Sequence, residues 1–70
     1  MTQTADTNHL SHLAPGCTVV IAAFDDVPEH LFEVQTVEDD CVTGMALNGP
    51  FAGEYGEPDL KMILRVVSNS

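Results

Sequence analysis

Positive charge is the scarcest property of this chain: of seventy residues only Lys61 and Arg65 carry it, against eleven carboxylates, for a formal charge of -9. Binding to nucleic acid needs cations to replace the counterions held by phosphate. Two cannot outweigh the repulsion of eleven carboxylates, so no nucleic-acid partner is expected. Anionic membranes are disfavoured for the same reason. No apolar run reaches the roughly 20 residues that span a bilayer, so no membrane partner is expected either. A basic protein partner, a divalent cation or a gain in solubility is what such a charge suits.

Other absences narrow the chemistry. Serine occurs only as Ser11, Ser68 and Ser70, outside the apolar body of the sequence, so a serine triad has no nucleophile on rigid structure. The two cysteines, Cys17 and Cys41, each open an apolar run and do not form a Cys-x-x-Cys pair. The start "MTQTADTNHLSHLAPG" lacks the basic and apolar regions of a secretory leader. A reducing, cytoplasmic setting with two buried free thiols is the expectation, with a single disulfide as the alternative. Tryptophan is absent, and Phe24, Phe32, Phe51 and Tyr55 are the only aromatic residues. A chain this short buries about 60% of its unfolded surface, which leaves little material for a deep pocket.

What is there reads as strands. Residues 1–13 form an acidic and polar N-terminal tail expected to be flexible, residues 14–67 one small domain, and residues 68–70 a C-terminal tail. "PGCTVVIAAF" places a turn pair before a run of β-branched residues that is apolar on both faces, as in a strand covered on each side. "LFEVQTVED" alternates cleanly, Glu38 to Asp40 supply turn chemistry, and "CVTGMAL" returns, so Leu31 to Leu47 is expected to be one hairpin with a bulge or bend at Gly44. In "DLKMILRVV" the apolar positions also fit a helix. The β-branched ending favours a short 3-10 turn near Pro58 to Lys61 followed by a strand over Ile63 to Val67.

Four to five short antiparallel strands with one longer loop predict an all-β fold. "APGCTVVI", the hairpin "HLFEVQTVEDDCVTGMAL" and the turn "PDLKM" together resemble the SH3-like small barrels over Ala14 to Val67. The resemblance implies a partly open barrel with a short 3-10 turn before the last strand, a fold that commonly serves as an interaction module or as a small subunit.

Candidate sites are few. His9, His12, Cys17, Asp25, Asp26, Glu29 and His30 offer zinc-type ligands, but none shows the tight spacing of a metal site, and no metal or cofactor is expected. The acidic pair at Asp25–Asp26 and the triplet at Glu38–Asp40 match no calcium loop and read as solvated turns. Cys17 or Cys41 with His30 is the only nucleophile and base pairing, and burial of a thiol opposes its activation, so the chain is not expected to be an enzyme. The remaining signal is "LNGPFAGEYGEPDLK". Phe24, Phe32 and Phe51 are expected to fill the barrel, with Phe51 folding back as a cap. Tyr55, set between Gly53 and Gly56 and beside Glu54 and Glu57, is expected to face a partner. The binding set is therefore Tyr55, Glu54, Glu57 and Phe51, in a noncatalytic module that engages a basic or neutral protein through the 48–59 loop. The alternative is a homo-oligomeric structural protein that uses an exposed apolar strand, and a metal-binding or catalytic protein ranks third.

Overall fold

The computed structural model describes residues 13–68. Residues 1–12 of the expected N-terminal tail, with His9 and His12, lie outside the described residues, whereas Leu13 packs against the core. Five strands follow in order: β1 Thr18–Ile21, β2 His30–Val37, β3 Val42–Ala46, β4 Tyr55–Gly56 and β5 Ile63–Ser68. A 3-10 turn at Leu60–Met62 precedes β5, and the Asp59 carboxylate caps it by accepting the Lys61 N–H. All pairings are antiparallel, and the strand order is β4-β3-β2-β1-β5.

Each strand follows from its local sequence. β1 begins after a turn at Pro15–Gly16 in which Gly16 takes a φ of 95° that only glycine adopts easily. The Gly16 N–H then donates to the Val34 carbonyl at 2.8 Å, which binds the turn to β2. Along β2 the side chains alternate, with His30, Phe32 and Val34 buried and Glu33 and Gln35 exposed. The hairpin back to β3 is closed by the Glu38 N–H donating to the Cys41 carbonyl at 2.8 Å. The helical alternative for the last segment is not adopted. Its β-branched Ile63 and Val66 pair with β1 instead.

One apolar cluster holds the sheet together: Cys17, Val19, Ile21, Phe32, Val34, Val42, Ala46 and Ile63, with Leu13, Leu60, Met62 and Val66 packed against it. Burying each large aliphatic or aromatic member contributes about 1.5–3 kcal/mol relative to leaving it in water. Both cysteines are free thiols, Cys17 buried and Cys41 half-buried.

The SH3-like barrel expected from the sequence is not formed, because the sheet stays open. Closure needs the two edge strands to pair, yet β4 and β5 stand at opposite ends of the strand order. The cause is local to β4. It has two residues, Tyr55 and Gly56, and Pro58 soon after it has no N–H to donate. What the chain forms is an open five-stranded antiparallel sheet with little helix.

Gly44 lies where β2 and β3 approach closely. The residue pairs with Val34 on β2 and with Gly56 on β4, and Gln35 is the extra residue of a bulge just beside it on β2. A Cβ at Gly44 would collide with the carbonyl oxygen of Glu33 and stand 2.9 Å from Cε1 of Phe32. The strand therefore needs glycine for close approach and not for a special φ.

Candidate functional site

A groove of about 360 Å³ lies between the end of β1 and the loop that joins β3 to β4. Its floor is Phe32, Ala46 and Gly56. Phe24, Phe51 and Pro58 form its walls, and Glu54, Tyr55 and Glu57 its rim. A second apolar hollow of about 330 Å³, bounded by Ile21, Phe24, Pro58 and Met62, adjoins it. Phe24 and Pro58 border both, so the two hollows lie side by side, and together they are called the trough below.

The floor is fixed by packing. The Phe32 ring lies across the paired glycines of β3 and β4, since a Cβ at Gly44 would meet Cε1 and one at Gly56 would come within 3.5 Å of Cε2. Two side-chain-free positions side by side are what let a large ring lie flat on the sheet.

The walls are held by turns. Phe24 and Val27 exchange backbone hydrogen bonds of 2.9 and 2.7 Å around a two-residue turn, with Asp25 at a φ of 49°. Aspartate tolerates that left-handed conformation better than most residues. Behind Phe24 the His30 ring stands 6.4 Å away, centroid to centroid, tilted by 56°. His30 is buried, and its Nδ1 lies 2.9 Å from the Pro28 carbonyl; a carbonyl only accepts, so Nδ1 is the donor.

The loop carrying Phe51 is tied down at both ends. Asn48 Oδ1 accepts the Leu31 N–H at 2.9 Å, and the Gly53 N–H donates to the Ala46 carbonyl at 2.7 Å. Inside the loop the Ala52 N–H donates to Gly49 and the Glu54 N–H to Phe51. Gly49 and Gly53 sit at φ 81° and 83°. With its backbone bonded this way the loop has no need to bury its ring.

The rim is acidic. The Tyr55 hydroxyl donates to Oε2 of Glu57 at 2.7 Å, and this bond, then partial burial and the Glu57 charge, raises the phenol's pKa above its ordinary value. Tyr55 pairs across the ladder with Met45, which alternates with the core-facing Ala46. Its ring therefore borders the groove from the outer face of the sheet, with the hydroxyl turned to Glu57. Cys41, near the same carboxylates, has its thiol pKa raised by burial first and then by Asp40, Glu57, Glu38 and Asp59. A thiol held protonated in this way is a poor nucleophile.

All four residues expected to bind, Phe51, Glu54, Tyr55 and Glu57, line the same groove. Two expectations about the rings are corrected: Phe24 and Phe51 do not fill a core but stay 38% and 45% exposed, whereas Phe32 is 3% exposed. The sheet is open, so there is no barrel interior for them to fill, and the loop's own hydrogen bonds hold Phe51 at its tip. Sequence reasoning missed Phe24, Pro58, Ile21 and Met62 as wall residues. A signal for Phe24 lay in "FDDV", where the apolar run stops at a two-aspartate turn that presents the last ring.

Among the described residues no three histidine, cysteine or acidic side chains gather as a metal site. Nor is any helix among them long and apolar enough to cross a membrane. No family model matches the chain, and no curated protein or solved structure is significantly similar to it.

Proposed function

We infer that this domain is a noncatalytic interaction module whose trough takes an extended protein segment combining apolar and basic side chains. The observation that supports the reading is the pairing of two exposed rings, Phe24 and Phe51, across an apolar floor with a rim carrying Glu54 and Glu57. Exposed rings in a groove supply anchors for a partner's apolar side chains. Carboxylates beside them favour a cation at the rim, and the overall charge of -9 speeds the approach of a basic partner.

Fluorescence anisotropy with a labelled peptide of alternating lysine and leucine tests this reading, with an all-lysine peptide of equal length as the control. The alternating peptide should bind tighter than the control, and Phe51→Ala should weaken it about tenfold, the loss of one modest anchor. Equal affinity for the two peptides, or no effect of Phe51→Ala, would reduce the trough to a bystander of general charge attraction.

A further inference from the structure

We propose that the trough's occupant is a second copy of this chain, which inserts the exposed side chains of its β5 edge head to tail. The proposal rests on the reading of the trough as a binding site and adds the identity of what fills it.

Residues 60–70, "LKMILRVVSNS", hold both cations of the chain and no carboxylate, so the β5 edge is locally positive on a molecule of net charge -9. Lys61 and Arg65 are exposed, and neither forms an ion pair among the described residues. The opposite end of the sheet carries the acidic rim of Glu54 and Glu57 beside β4. Each copy thus presents one edge complementary in sign to the other.

Shape points the same way. β5 skips a residue twice against β1: the register runs Ile21 to Ile63, Val20 to Arg65, Val19 to Val66 and Thr18 to Ser68, which leaves Leu64 and Val67 off the ladder. Both are exposed, Leu64 at 43% and Val67 at 53%. Bulges blunt an edge against strand addition, and so do the two-residue length of β4 and the proline that follows it. The fitting contact is therefore by side chains entering a trough, not by backbone pairing. Leu64 and Val67, about 10 Å apart along a strand, supply two apolar anchors, and Arg65 between them supplies the cation for the rim.

The contact joins two different surfaces, so it propagates or closes as a ring instead of stopping at a symmetric pair. Repulsion between copies of like net charge opposes it most at low salt.

Sedimentation velocity at physiological salt, from micromolar to millimolar protein, tests the proposal with two variants that keep the fold, as checked by their melting curves. Arg65→Glu, and separately Glu54→Lys with Glu57→Lys, should each weaken self-association at least tenfold. An equimolar mixture of the two variants should restore it, because each then offers the charge the other lacks. A parent protein that stays monomeric to millimolar concentration overturns the proposal, as does a mixture no more associated than its components. Titrating the Arg65→Glu variant with the lysine–leucine peptide separates the two claims: binding there with no rescue on mixing leaves the trough a binding site for another partner and removes the second copy as its occupant.

Discussion

Phe32 and Phe51 are the same side chain in the floor and the wall of one groove, yet the first is 3% exposed and the second 45%. The difference lies in their backbones. Phe32 is in the middle of β2, where the next strands bring Gly44 and Gly56 under its ring. Phe51 is in a loop whose backbone hydrogen bonds are met locally and by the end of β3, so nothing draws its ring inward. A core ring holds the sheet together by contact with its neighbours. A loop ring held by its backbone keeps its apolar surface available.

The comparison predicts a wide gap in stability. Phe32→Ala should lower the unfolding free energy by about 3–5 kcal/mol, much of what a domain of this size possesses, and chemical denaturation measures it. Next in size, Gly44→Ala places a Cβ against the Glu33 carbonyl and the Phe32 ring and should cost about 3 kcal/mol. Its contrast is Gly53→Ala, which meets no atom within 4 Å and is opposed only by its φ of 83°, for about 1 kcal/mol. Phe51→Ala should cost under about 1 kcal/mol while still weakening peptide binding, so its stability and binding effects separate where those of Phe32→Ala do not.

Two smaller effects probe the charge around the groove. Added salt should raise the melting temperature, because screening relieves the repulsion among eleven carboxylates; a scan from low to moderate salt that shows no rise contradicts this. Tyr55 is the single tyrosine, so ultraviolet absorbance follows its ionisation alone. In the folded protein the protonated hydroxyl bonds Glu57 and its pKa is raised. The stability this adds is fully present below the unfolded value of about 10 and is lost as pH rises through the higher folded value. The midpoint should lie above that of free tyrosine, and Glu57→Gln should bring it down.

Much of the sheet was legible in the sequence. The β-branched run before Ala22, the alternation of β2 and the acidic turn at Glu38 to Asp40 each state a local preference that the fold keeps. The strand glycine Gly44 also announced its neighbourhood, although the bulge itself falls on β2 at Gln35. Closure into a barrel was not legible, because it depends on whether β4 is long enough to reach β5. Two residues and a nearby proline decide that, and no periodicity reports it. The acidic loop residues of the groove stood out as composition that packing did not explain. Phe24 and Pro58 did not stand out, since their role arises only when the turn at Asp25 and the segment beside β3 are brought together in space.

The central claim is that the trough between Phe24, Phe51 and Pro58 is where a basic, apolar segment binds. Proton–nitrogen correlation spectra of the labelled domain, recorded while the lysine–leucine peptide is added, test it most directly. The account predicts that amide shifts concentrate at Phe24, Phe51 and Glu54 to Glu57 and saturate together, with Glu38 to Asp40 little changed. Shifts spread evenly over all the acidic turns, or strongest at Glu38 to Asp40, would contradict it.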